Sequence, residues 1–260
     1  MISEKELTQK MDDAIEWIRE YVKNSGARGV VVGNSGGKDS ATVIAMSKEA
    51  IGKENVITVS MPCYSINQDF EDAKLVAKHF GVKLLNVDLC RSYKELEMEL
   101  NKSIELTSFR EISNEAKINI KPRLRMTALY AIAQSLGYLV IGTGNLSERM
   151  VGYTTKWGDS ACDFNPIGNF TVNEVIEIGR KLGVPEQILR KAPSDGLGDK
   201  TDEEKMGIKY SQIEEMIETG HTKKEAEKII LQKYNNSKHK RDTIPIFEFD
   251  RNNYLLRCEK

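Results

Sequence analysis

The chain has 260 residues, 40% of them hydrophobic, and a formal net charge of −1. That length supports one good core with appendages, and the near-neutral charge provides no overall basic field to draw the chain to nucleic acid or a membrane surface. No apolar run approaches the length of a bilayer span, and the opening Met1 to Lys10 is too polar for a signal peptide, which points to the cytoplasm. Cys63, Cys90, Cys162 and Cys258 lie far apart with no Cys-x-x-Cys, and His79, His221 and His239 share no ligand spacing with them. Reduced thiols are therefore expected, and no zinc site.

In chain order, Leu7, Met11, Ile15, Ile18 and Val22 have the spacing of an amphipathic helix over 4–24. Strand and helix patterns then alternate. Strands are predicted at 29–33, 56–60, 82–87 and 138–141, with helices at 38–52, 67–80, 93–106 and 122–136. Such alternation with short connections predicts an α/β chain: a doubly wound, mostly parallel sheet with helices on both faces. Ligands of such sheets sit outside the carboxyl ends of the strands. Beyond Phe170, helices are expected at 171–182, 208–217 and 223–234, with an unpatterned loop at 193–204. No repeat or low-complexity linker marks a second domain.

The most informative stretch is Gly33-Asn34-Ser35-Gly36-Gly37-Lys38-Asp39-Ser40, where an apolar strand passes through a tight turn into a helix. Glycines admit a ligand close to the backbone, and free N–H groups at the helix start favour an anion. The anion suggested is a phosphate, with Asp39 placed to hold an accompanying metal. A Walker A loop needs Ser or Thr after the lysine, and Asp39 stands there instead. Gly33, Gly36 and Gly37 are wrongly spaced for a dinucleotide fingerprint. A second segment, Pro122-Arg123-Leu124-Arg125, reads as a helix start with proline at its first position. Arginines in a first turn oppose the helix dipole unless an anion binds there. A third runs from Gly142-Thr143-Gly144-Asn145-Leu146-Ser147-Glu148 through Gly152-Tyr153-Thr154-Thr155-Lys156-Trp157-Gly158-Asp159 to Asp163-Phe164-Asn165-Pro166. Its density of polar and acidic groups among aromatics is unlike a solvated loop.

The Ser-Gly-Gly-x-Asp-Ser loop resembles that of enzymes splitting ATP into AMP and pyrophosphate. Together with Arg-Leu-Arg-Met at 123–126, the 142–148, 152–159 and 163–166 motifs, Pro-Ser-Asp-Gly-Leu at 193–197 and His-Lys-Arg at 239–241, it makes the chain similar to the NAD synthetases over nearly its whole length. The resemblance implies an adenine nucleotide α-hydrolase-like fold and ATP-dependent amidation of nicotinic acid adenine dinucleotide (deamido-NAD) through an adenylated carboxylate. It implies an ATP loop at Gly33–Ser40 with Thr143 and Ser194, and Mg²⁺ on Asp39 and Glu148. The dinucleotide site would comprise Arg123, Lys156, Asp163, His239 and Lys240, with Asp39, Glu148 and Lys156 as the catalytic set. It also implies a homodimer whose dinucleotide site draws on both subunits.

Glutamine-dependent relatives carry an additional amidase domain. The synthetase motifs use nearly all of this chain, so free ammonia is the expected nitrogen donor. The 193–204 loop is expected to act as a lid over substrate. One departure stands out: the family often has lysine at the place of Val172, and Lys191 or Lys200 are the candidate substitutes. The competing readings are a guanylate-forming or tRNA-modifying relative of the same superfamily, or a module that binds ATP without turnover. The thiolating enzymes generally need reactive cysteines, and tRNA enzymes a basic face.

Overall fold

The computed structural model describes residues 2–108, 110–191 and 202–247. The chain runs α1 (Glu4–Ser25), β1 (Val30–Gly33), α2 (Lys38–Ile51), β2 (Val56–Ser60), α3 (Asn67–Phe80), β3 (Lys83–Asn86), α4 (Cys90–Ile104), α5 (Asn114–Leu136), β4 (Leu139–Ile141) and α6 (Leu146–Val151). It continues through α7 (Val172–Lys181), α8 (Glu186–Leu189), α9 (Asp202–Met206), α10 (Tyr210–Thr219) and α11 (Lys224–Asn236), with a 3-10 turn at Lys238–Lys240. The alternation read from the sequence is present, with most element ends within two or three residues of expectation.

The four strands form one parallel sheet in the order β3-β2-β1-β4. Side chains alternate across it, as a pleated strand requires. Val30 and Val32 enter a core shared with α1, α2, α3, α7 and α8. Val31, between them, faces a second core made with Ile57, Val59 and residues of α4 and α5. Burial on both faces explains the unbroken apolar run of β1. A third cluster (Val151, Val172, Ile208, Ile213, Ile230) joins α6 and α7 to the C-terminal helices. Among the described residues, no helix is long and apolar enough to cross a membrane.

The short α8 and α9 are not among the expected elements, and α9 makes residues 202–204 of the expected loop helical; α5 differs most. α5 begins at Asn114, not at Pro122, and Ser113 caps it by accepting the Ala116 N–H at 3.2 Å. Pro122 is buried inside the helix, so Arg123 and Arg125 lie two turns in and the dipole argument does not apply to them. The sheet order places the site. From β1 the chain winds outward to β2 and β3, then returns to β4 on the other side of β1. The turns leaving β1 and β4 therefore diverge side by side, opening a crevice at the carboxyl edge.

Candidate active site

A cavity of about 520 Å³ occupies that crevice. Its walls come from the turn after β1 (Gly33, Asn34, Ser35, Gly37, Lys38, Asp39, Ser40), the turn after β4 (Thr143, Gly144) and Glu148 of α6, with Arg125, Asp159, Lys191, Asp202 and Lys240 further round.

The first turn is held from behind. Asn34 is buried, donating from Nδ2 to the Ala73 carbonyl at 3.0 Å and accepting the Gly36 N–H at 3.1 Å. It therefore scaffolds the loop from α3. Gly36, at φ +73°, does not line the cavity, and its backbone packs against the start of α3. The Ser40 hydroxyl donates to the Gly37 carbonyl at 3.0 Å and lies 3.2 Å from that of Ser35. Lys38 is buried, with its ammonium 3.0 Å from Asp39 Oδ2. Burial alone would lower its pKa, but Asp39 and Glu148 hold it above the ordinary lysine value.

The second turn meets the first through Asn145. This fully buried side chain donates to Asp39 Oδ1 at 3.2 Å and accepts the Glu148 N–H at 3.0 Å. Glu148 returns the bond, its Oε2 accepting the Asn145 N–H at 3.0 Å. This reciprocal cap fixes α6 and sets Glu148 beside Asp39. Burial, then the neighbouring Asp39, pushes the Glu148 carboxyl up to about 8. Among the described residues, no group of three or more His, Cys, Asp or Glu side chains is arranged to hold a metal. Mg²⁺ commonly takes only one or two carboxylates and completes its shell with phosphate oxygens and water. Two hard oxygen donors, with Glu148 giving up its proton as the cation binds, fit that ion.

The remaining expected residues divide. Lys240 lines the cavity and donates to the Gly152 and Thr154 carbonyls at 2.8 and 2.6 Å. Burial lowers its pKa. Lys156 and Arg123 stand outside the lining. Lys156 Nζ donates to the His239 carbonyl at 2.7 Å, and the Arg123 guanidinium to the Lys156 carbonyl at 3.3 Å. Of His239, it is thus the backbone that joins this group. Asp163 sits at the sheet, where its Oδ2 accepts the Val140 N–H at 2.7 Å and Tyr130 donates to its Oδ1 at 3.3 Å. In the single chain it does not reach the cavity. Ser194 and Lys200 lie outside the described residues, as does the expected lid up to residue 201.

Val172 is buried at the start of α7, its N–H donating to Ser147 Oγ at 3.3 Å. Lys191 does line the cavity, but its ammonium is engaged by Asp69 at 2.9 Å and Asp72 at 2.5 Å. The sequence reading left Arg125, Asp159, Asp202 and Tyr210 out of the candidate set. Arg125 and Asp159 stood within quoted motifs. Arg125 donates to the Met61 carbonyl and Ser65 Oγ, both at 3.2 Å, and Asp159 accepts the Thr155 N–H at 2.8 Å, its carboxyl pKa raised chiefly by burial. Asp202 and Tyr210 arrive from the C-terminal helices with no motif to mark them.

A parallel α/β sheet with a glycine-rich strand-to-helix turn and a carboxylate pair at its switch point defines a nucleotide-binding enzyme class. Within it, the chain belongs to the NAD synthase family, whose model matches residues 10–251. It is 42% identical over 234 residues to the NH3-dependent NAD+ synthetase of Carboxydothermus hydrogenoformans, covering 90% of this chain and 94% of that one. Among solved structures it is similar to an NMN synthetase from Francisella tularensis (TM-score 0.85, 31% identity, 96% of this chain and 100% of that one). It also resembles an NH3-dependent NAD synthetase from Campylobacter jejuni (TM-score 0.75, 27% identity, 93% and 99%).

Proposed function

We propose that the cavity at the β1–β4 edge binds ATP along the Gly33–Ser40 turn, with Mg²⁺ on Asp39 and Glu148 and the acid dinucleotide toward Lys156, Lys240 and Arg123. The reaction is the ammonia-dependent conversion of deamido-NAD to NAD, in keeping with the family and its NH3-dependent members. A nicotinate carboxylate oxygen attacks the α-phosphate of ATP. A new P–O bond forms, the bond to the β-phosphate breaks, and pyrophosphate leaves. Ammonia then attacks the activated carbonyl carbon, the C–O bond to AMP breaks, and the surplus proton is lost as the carboxamide forms.

The observation that carries this reading is the convergence of Lys38, Asp39 and Glu148 through Asn145, which joins the two strand-end turns. When bound, Mg²⁺ supplies charge neutralisation for the polyphosphate. Lys38, already fixed by Asp39, offers a positioned cation needing no reorganisation. Lys240, its amino group held by the Gly152 and Thr154 carbonyls, lines the same cavity. No protein nucleophile is required, and Cys63, Cys90 and Cys162 are all unpaired.

We place the enzyme in the cytoplasm as a homodimer. The exposed Trp17 and Tyr21 of α1, in ring contact with Phe164, supply an aromatic surface next to Asp163 that suits a second copy. The position of Asp163 and Arg123 outside the single chain's cavity supports a dinucleotide site drawing on both subunits. The likeness to an NMN synthetase favours one second reading, that the acid mononucleotide is also accepted. The test is AMP and pyrophosphate release from ATP·Mg²⁺, with the acid dinucleotide or mononucleotide and with ammonium or glutamine. Ammonium-dependent NAD formation with glutamine inert supports the proposal. Turnover of both acids supports the second reading, and turnover of the mononucleotide alone would overturn the proposed substrate.

A further inference from the structure

Tyr210, the first residue of α10, is 6% exposed, and its ring centroid lies 6.0 Å from the Lys38 ammonium. Its hydroxyl oxygen is buried and hydrogen-bonds to nothing, the sole such side-chain atom among the described residues. Its surroundings are not apolar. Glu148, Asp202, Asp39 and Tyr153 all bear on it electrostatically. Burial and those carboxylates hold its proton on far above the ordinary phenol range, so it stays a donor at any working pH.

Buried donors in folded chains are almost always paired, and phenylalanine would fill the same space without an orphan. The Tyr210 ring lies over Lys38, which pairs with Asp39, and Asn145 ties Asp39 to Glu148; of that group Glu148 has bonding capacity to spare, its Oε2 committed to the Asn145 N–H in the cap of α6. We propose that Tyr210 is a positioning residue for Glu148, its hydroxyl closing onto that carboxylate when ATP and Mg²⁺ load the site. The inference rests on the assignment of Asp39 and Glu148 as the metal-binding pair. It gives the C-terminal layer a part in the reaction, because α10 then braces a group on α6. Asp202, which also bears on the hydroxyl electrostatically, already accepts a hydrogen bond from the Tyr153 hydroxyl at 3.1 Å.

The test is Tyr210→Phe, read three ways. The ligand-free variant melts at or above the wild type, because no resting bond is lost. The rise in melting temperature on adding ATP·Mg²⁺, without acid substrate or ammonia, needs more Mg²⁺, by about tenfold or more, the equivalent of one bond to a charged group. In turnover, the same Mg²⁺ shift appears while KM for the acid substrate holds. An unchanged Mg²⁺ requirement overturns the proposal. So does a lower melting temperature without ligand, which would show that the hydroxyl already has a partner at rest. The melting readout involves no acceptor. An enzyme that binds ATP·Mg²⁺ normally but amidates neither acid substrate would sink the proposed function and leave this test intact.

Discussion

Gly36 and Gly37 are neighbours in the same signature, yet the structure assigns them opposite tolerance to a methyl group. Gly36 has φ +73°, and a Cβ there would stand 2.6 Å from the Asp69 carbonyl oxygen, 2.7 Å from Asp72 Cβ and 3.0 Å from the Ala73 nitrogen. Two of those atoms are backbone of α3, itself clipped to the turn by Asn34, so neither side can withdraw cheaply. The left-handed conformation costs an alanine about 1–2 kcal/mol, and overpacking adds about 1–3 kcal/mol, for a loss of about 2–5 kcal/mol in Gly36→Ala. Gly37 has φ −98°, and its Cβ would meet only Ser35 Oγ, at 3.3 Å. There the lower chain entropy of alanine when unfolded, about 0.4–1 kcal/mol, roughly offsets that contact. Ligand-free thermal melts of the two variants are the assay. Gly36→Ala should melt lower by about 5–15 °C and Gly37→Ala within about 2 °C of the parent. Equal melts would refute the claim that Gly36 is set by its packing on α3. Catalysis is a separate matter, since Gly37 lines the cavity and, on the proposed function, a methyl there would obstruct ATP without disturbing the fold.

Three further outcomes are expected. Glu148→Gln should flatten the pH dependence of ligand-free stability. A carboxyl raised to about 8 in the fold from 4.5 binds more protons folded than unfolded, so wild-type stability declines from about pH 5 to 8, and the glutamine variant should lack that decline in melts run without metal. Asn145→Ala should lose about 1–2 kcal/mol in urea melts through the α6 cap, and its activity should fall further because Asp39 loses its bond. Lys191→Ala should lose about 1–2 kcal/mol by stranding Asp69 and Asp72, with KM for ATP little changed; a large KM shift with an unaltered melt would make Lys191 the substitute for the missing lysine at 172.

Much of the fold was legible in the sequence because its signals are local. Val30 to Val32, the glycine caps after α1, α3 and α5, and the regular exchange of strand and helix each report within a few residues. The start of α5 misled because proline favours a first turn, whereas tertiary packing buries Pro122 mid-helix and the effective cap was Ser113. The site divides along the same line. The first strand-end turn drew notice through its own residues, the second chiefly through the family resemblance. Asn145 stood in a quoted motif, but its bond to Asp39 spans 106 positions and has no pattern along the chain. Tyr210 and Asp202 are ordinary helix-start residues until α9 and α10 fold back onto Lys38 and Glu148.

The register of β1 with β4 has a consequence for how the protein is made. Val30 pairs with Leu139, so the two turns that form the nucleotide cleft meet only after more than a hundred intervening residues have folded and crossed over. Closing so distant a pair is slow compared with local helix formation. Partly folded or partly synthesised chains therefore have helices and the β1 turn but no cleft, and nucleotide cannot template the early steps. ATP should protect the finished enzyme from unfolding while leaving its rate of refolding almost untouched.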